Sequence, residues 1–388
     1  MGQRLIFLSL VLAALLTMPL AGRPSPARAV ALPGPEPGWQ VHEPIRYSNL
    51  ALFPVTAGSR HDSTSYITLD EGLGSGEVEV TELGARIIRH RPGVPPPDRA
   101  QVNTLVLVNH SKKALLLLAG EIVTGGKQDR VISKDRLIPP GADPLPLEVF
   151  CVEPGRWHGA SLAFEGKGLM AAPKVREKAA VAKNQQEVWQ ANDAVRGGVA
   201  ENLTAGGRAA AAPVRTALAD SSSYTQLENS EVFKRRIDEA SSSLARDYER
   251  ALREALRGKN VVGVVVAING EVVWADLFAD PGLFERYREK LLRSYVVEAL
   301  SVPGVEHARA GVEDAERFLA EQDGKQIIEV EPGEYRLVEI EHPRYSVFQL
   351  ASLWERGEPL LHFNKLRKEA VAHPLPRPVP LPNQQRPR

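Results

Sequence analysis

The sequence predicts an α+β protein with a β-rich N-terminal half, a helical middle and a C-terminal hairpin, helix and strands. Three observations carry this. Short apolar runs separated by Gly and Pro turns fill residues 39–164, which suggests a sandwich or partial barrel. Residues 174–257 switch to helical periodicity. From Val261 the run VVGVVVAI, then Asn269-Gly270, then EVVWADLF is a hairpin signal, because a type I′ turn needs positive φ at both central residues.

Within the β-rich part, Ser65–Leu69 and Glu77–Leu83 read as strands, and Gly72, Gly74 and Gly76 between them read as a loop. Gln101–Asn109 and Ala114–Val123 follow as strands, with Leu115–Leu118 buried on both faces. Leu145–Val152 is the next strand. Lys174–Val195 then reads as a helix stopped by Gly197-Gly198. Residues 201–223 read as a loop with some helical turns. A second helix is expected from Thr225 to Arg257, with Thr225 and Glu228 as a capping box. Past the hairpin, Asp280-Pro281 is the N-cap and first residue of a helix whose apolar face includes Phe284, Tyr287, Leu291 and Tyr295. Residues 326–340 and 345–350 read as strands, with Pro332-Gly333 as a turn.

These readings divide the chain into 38–170 (β-rich), 171–258 (helical, with a flexible loop) and 259–368 (α+β, packing on the β-rich part). The flanks differ from this body. Arg4, the apolar run Leu5–Leu16 and Ala27-Arg28-Ala29 have the order of a secretory signal peptide, residues 1–29, cleaved after Ala29. An uncleaved anchor is the alternative. The expected location is periplasmic or extracellular, with no membrane span after signal removal, since no other stretch approaches 18 apolar residues. Residues 369–388 are a Pro-rich tail, expected to be extended or disordered.

Composition excludes several classes. The 388 residues carry 48 Lys+Arg and 48 Asp+Glu, so no basic excess marks a nucleic-acid partner. One cysteine excludes an internal disulfide framework. The nine histidines are scattered without metal-ligand spacing, and no metal site is expected. G-x-S-x-G is absent, as is a G-x-G-x-x-G entering a helix, so these common hydrolase and dinucleotide fingerprints are missing and the cofactor is unknown.

Two polar clusters stand out. Gly120–Arg130 places six polar side chains among three glycines directly after a buried strand. Glycines let backbone amides approach an anion, and Lys127 and Arg130 add charge. It is not a P-loop, because Glu121 and Gln128 stand where that motif needs Gly and Ser or Thr. A solvated turn is the alternative reading. The second cluster, Cys151–His158, sets Glu153, Arg156 and Trp157 at a strand end. Cys151, flanked by Phe150 and Val152, reads as a buried small hydrophobe. A third segment, Asp276-x-Phe278 with LLRSY over 291–295, reads as amphipathic packing.

The succession strand–GE–GGKQDR–CVE-GRW, with the D-x-F and LLRSY segment downstream, resembles the ARG and rhodanese-phosphatase-superfamily-associated protein domain family, a group of unknown function. The resemblance covers about residues 38–300 and extends toward 368. The positions matching its polar motifs are Glu121, Lys127, Gln128, Asp129, Arg130, Glu153, Arg156 and Trp157. The family's association with ADP-ribosylglycohydrolases and rhodanese-like phosphatases implies a ligand related to NAD or ADP-ribose.

Two functions follow. In the first, the protein binds or hydrolyses a phosphate-bearing small molecule. Glu121 or Glu153 is then the general base, and Lys127, Gln128, Asp129, Arg130 and Arg156 bind the ligand while Trp157 stacks on a ring. In the second, it is a non-enzymatic envelope adhesion or scaffold module that binds protein or glycan. The oligomeric state is open.

Overall fold

The computed structural model describes residues 38–58, 61–83, 103–154, 161–205, 211–305 and 307–368. The signal segment 1–29, the tail 369–388, and Arg156 and Trp157 lie outside the described residues.

Val261–Ile268 is buried along its whole length, as its β-branched run requires. It pairs with Glu271–Phe278 across a turn in which Asn269 has φ 50° and Gly270 φ 77°. This hairpin is the middle of a nine-stranded antiparallel sheet. On one side follow Leu50–Thr56 and then Gln40–Val41, with Ile45–Tyr47 also on Leu50–Thr56. On the other side come Leu360–Arg367, Tyr345–Ser352, Tyr335–Glu341 and, at the edge, Lys325–Glu331. The N-terminal Leu50–Thr56 strand therefore lies inside the sheet of the C-terminal region.

The rest of the β-rich half makes two further sheets. Six antiparallel strands run in the order Phe164–Met170, Glu121–Gly125, Arg130–Ile132, Ala142–Cys151, Thr104–Asn109 and Val78–Glu82. Three strands, Arg136–Ile138, Ala114–Leu117 and Tyr66–Thr68, form the other, with the last pair parallel. Residues Ala114–Leu118 separate two apolar cores, and alternation decides which side chain enters which. Leu115 and Leu117 face the core between these two sheets. Leu116 and Leu118 join the main core, beneath the large sheet and its helices. The α+β class and the β-rich N-terminal half thus agree with the sequence reading.

Helices cover the main core. Asp280 accepts from the amides of Gly282 and Leu283, and Pro281 opens the Pro281–Leu300 helix as expected. Its buried face includes Phe284, Tyr287, Leu291 and Tyr295. Glu231–Arg253 and Gln185–Ala205 pack beside it. Among the described residues, no helix is long and apolar enough to cross a membrane.

Several local expectations are corrected. Residues Leu69–Ser75 are a helix, not a loop, with Thr68 and Glu71 as a capping box and Gly76 as a left-handed cap. Gly72 is small because a Cβ there would lie 2.3 Å from Val78 Cγ2. Gly197-Gly198 does not stop its helix, which runs on to Ala205. A Cβ on Gly198 would lie 1.9 Å from the Ser301 carbonyl oxygen, so that glycine serves close packing. Ala211–Asp220 is a helix within the expected loop. Thr225 makes no capping box, since its hydroxyl bonds Asp129, and the long helix begins at Glu231.

Candidate functional site

The Gly120–Arg130 cluster folds as a hairpin. Glu121–Gly125 pairs with Arg130–Ile132 through Ile122↔Val131 and Val123↔Arg130. The turn needs its glycines: Gly125 and Gly126 have φ of 113° and 52°, and a Cβ on Gly126 would lie 2.3 Å from the Phe164 ring. Asp129 closes it by accepting the Gly125 amide at 3.2 Å. Its other oxygen accepts from the hydroxyls of Ser223 at 2.7 Å and Thr225 at 2.8 Å.

The second cluster lies on the neighbouring strand, with Cys151 opposite Arg130. The Val152 amide donates to the Asp129 carbonyl at 3.1 Å, and Gln128 Nε2 donates to the Glu153 carbonyl at 2.8 Å. Ser222 Oγ donates to the Pro154 carbonyl at 2.6 Å, which draws the 221–225 turn to the same place. The three segments enclose a cleft of about 420 Å³. Asp129 and Glu153 line one part, Ser221, Ser223 and Thr225 another, and Glu165 and Lys167 complete the charged groups. The lining is dense in hydroxyls and carboxylates, with Lys167 as the cation among the described lining residues.

Arg130 lies fully buried, with Nη1 donating to the Gln128 carbonyl at 2.8 Å and Nη2 3.9 Å from Glu82. Lys127 is half-buried, and its amide donates to Glu82 Oε1 at 2.9 Å. Neither lines the cleft. Gln185 accepts from the Cys151 amide at 2.9 Å and donates to its carbonyl at 2.8 Å, acting as a strand neighbour. Burial pushes the Cys151 thiol up to about 11, so it stays protonated and is a poor nucleophile.

Glu121 points elsewhere. It starts the strand whose other end, Thr124-Gly125, reaches the cleft. Its carboxylate accepts from Lys290 Nζ at 2.5 Å and from the Leu118 amide at 2.7 Å, and Lys290 also holds Asp70. Burial raises the Glu121 carboxyl, and Lys290 only partly offsets this. Glu121 and Glu153 are therefore not a pair.

A third polar assembly is closed off from solvent. Asp276 accepts two bonds from Arg176, at 2.9 and 3.0 Å, one from Trp274 Nε1 at 2.9 Å and one from Asn364 at 2.8 Å. The Tyr295 hydroxyl and His362 Nε2 also bind it. His362 Nδ1 lies 2.6 Å from Asp135, whose other oxygen accepts the Ala119 amide. Burial would raise Asp276, but Arg176 and His362 outweigh it and hold the carboxyl far below its usual range. Burial would lower His362, but Asp135 and Asp276 lift it to about 9. Gly120, with φ 96°, leaves room for Arg176, whose Cγ would lie 2.4 Å from an added Cβ.

Sequence reading misses Asp135, Arg176, Ser223, Thr225, His362 and Asn364. A usable signal exists only for His362 and Asn364, polar residues two apart in the buried strand LLHFNKLR, hence on one face. Among the described residues, no group of His, Cys, Asp and Glu is placed to hold a metal ion.

These features define the class: an α+β domain with a polar cleft beside a glycine hairpin and a sealed ionic cluster at its centre. Within it the chain belongs to the ARG and Rhodanese-Phosphatase-superfamily-associated Protein domain family, whose description matches residues 38–363. No curated protein and no solved structure matches the chain.

Proposed function

We propose that the protein binds a small sugar-phosphate ligand, of the ADP-ribose class, in the Asp129–Glu153 cleft. The observation that carries this reading is the convergence of both polar motifs with the 221–225 turn on one ligand-sized cavity. Carboxylates and hydroxyls bind the vicinal hydroxyls of a ribose, each able to accept from or orient a sugar O–H. Lys167 takes the phosphate, the role the sequence suggests for Lys127 and Arg130. Glu153 rather than Glu121 is the general base in any hydrolysis, because Glu121 is held by Lys290 and Asp129 already orients Ser223 and Thr225.

A thermal-shift screen of ADP-ribose, ribose 5-phosphate, inorganic phosphate, neutral sugars and Mg²⁺ tests it. ADP-ribose raises the melting temperature by a few degrees, since a hundredfold excess over Kd contributes about 2.7 kcal/mol. Glu153→Gln removes the shift, and Lys167→Ala, at an exposed position, weakens it for phosphorylated ligands alone. A flat screen overturns the reading. It would favour the envelope adhesion or scaffold role, which draws support from Gln128, Arg130 and Gln185 binding backbone groups.

We also propose export through residues 1–29. Mass spectrometry of the protein from the extracytoplasmic fraction is expected to find Val30 as the first residue. A cytoplasmic chain that retains Met1 would exclude export.

A further inference from the structure

Lys325–Glu331 is the last strand of the nine-stranded sheet and pairs, among the described residues, only with Tyr335–Glu341. An outer strand presents a row of backbone N–H and C=O groups to any strand that can lie beside it. Natural edges are normally short or blunted by charge. This one is seven residues long with six of them exposed, and its charges, Lys325, Glu329 and Glu331, accompany an apolar stretch rather than replace it. Ile327, Ile328 and Val330 are 41 %, 44 % and 50 % exposed. They are three of the six exposed large hydrophobic residues among those described, so the apolar surface is concentrated on this strand.

We propose that this strand pairs antiparallel with the same strand of a second copy, making a homodimer with one continuous sheet. The sequence KQIIEVE is self-complementary in one register. With Ile328 opposite its own copy on the twofold axis, Lys325 stands opposite Glu331 of the second chain, and Glu331 opposite its Lys325. Gln326 then meets Val330, and Ile328 with Val330 forms an apolar strip on one face. Parallel pairing in register would set Lys325 against Lys325 and Glu331 against Glu331. Shifting the antiparallel register to centre on Glu329 would oppose two carboxylates on the axis. Centring on Ile327 would match Lys325 with Glu329, which already accepts from Lys134 at 2.9 Å and from Tyr335 at 2.7 Å. Charge thus selects the antiparallel orientation. The Ile328-centred register is preferred because it leaves Glu329, opposite Ile327, to Lys134 and Tyr335, with Lys325 shared between Glu331 of the second chain and its own Glu341 at 3.8 Å. Pro332, which lacks an amide hydrogen, ends the strand and limits the added ladder to this segment.

Sedimentation velocity of the chain from Val30 onward tests the pairing. The wild type should be dimeric at roughly 100 µM, well above the micromolar dissociation constants expected of small interfaces. Ile328→Glu, at an exposed position, sets two carboxylates on the axis and should give a monomer with an unchanged circular dichroism spectrum. Lys325→Glu and Glu331→Lys should each weaken dimerisation about tenfold. The double variant Lys325→Glu/Glu331→Lys should restore it, because the pair is exchanged across the axis. A wild-type monomer at that concentration, a dimer that survives Ile328→Glu, or a double variant as weak as the singles overturns the proposal.

Discussion

Replacing Asp276 by asparagine is expected to cost about 3–5 kcal/mol of folding stability, the largest effect of any single substitution proposed here. The change preserves shape and removes one charge. Arg176 then remains buried with its two-pronged partner neutralised, and His362 loses one of its two carboxylates. The loss is large because a buried guanidinium cannot recover its hydration, whereas an exposed pair would be worth under about 1 kcal/mol. Denaturant melts should show a lower midpoint with an unchanged slope. Tyr295→Phe deletes one donor to the same carboxylate and should cost less, about 1.5–3 kcal/mol. In a double-mutant cycle, Asp276→Asn and Arg176→Met should be strongly non-additive, since the second change removes the orphaned charge. An Asp276→Asn loss below about 1 kcal/mol would mean that Arg176 is solvated or repaired, and that the cluster is not sealed.

The same cluster makes stability pH-dependent on the alkaline side. His362 has its folded pKa raised from 6.5 to about 9. A raised histidine contributes its stability in full below pH 6.5 and loses it as the pH climbs through about 9. Asp276, held low, contributes fully above its ordinary 3.8 and loses that contribution only in acid. Lys365 opposes the alkaline loss. Burial lowers it from 10.5 to about 8, so its contribution improves as the pH rises above 8. His362→Gln isolates the first effect. The stability gap between wild type and His362→Gln should be widest near pH 6 and narrow by a few kcal/mol by about pH 9.5. A gap constant with pH would show that His362 titrates alike in the folded and unfolded chain, so that Asp135 and Asp276 do not raise it.

Both results concern residues whose partners lie far apart in the chain. Arg176 and Asp276 are 100 residues apart, and Asp135 and His362 are 227 apart. Asp276 is visible in the sequence only as one half of a D-x-F motif, and Tyr295 only as part of an apolar helix face. Their reading as amphipathic packing is right about burial and silent about charge. The candidate site divides in the same way. Gln128 does meet Glu153 and Asp129 meets Val152 beside it, as two motifs around one strand pair suggest. Glu121, only a few residues away, sits at the other end of its strand and belongs to Lys290. The 221–225 turn carries no periodicity and no charge, so nothing in the chain marks it as the third wall of the cleft.

What the sequence determines by itself is what neighbours along the chain enforce. Asn269-Gly270 makes the hairpin, Asp280-Pro281 starts a helix, and Leu115–Leu118 must be buried on both faces. Each rests on local φ preference, a local cap or alternation, and none needs a distant partner. Tertiary structure decides the rest. It turns Gly198 from a helix stop into a packing contact and Thr225 from a cap into a ligand of Asp129. It also decides which buried charges neutralise one another. Those outcomes depend on which groups lose water together, and that is set only when separated segments close around the same space.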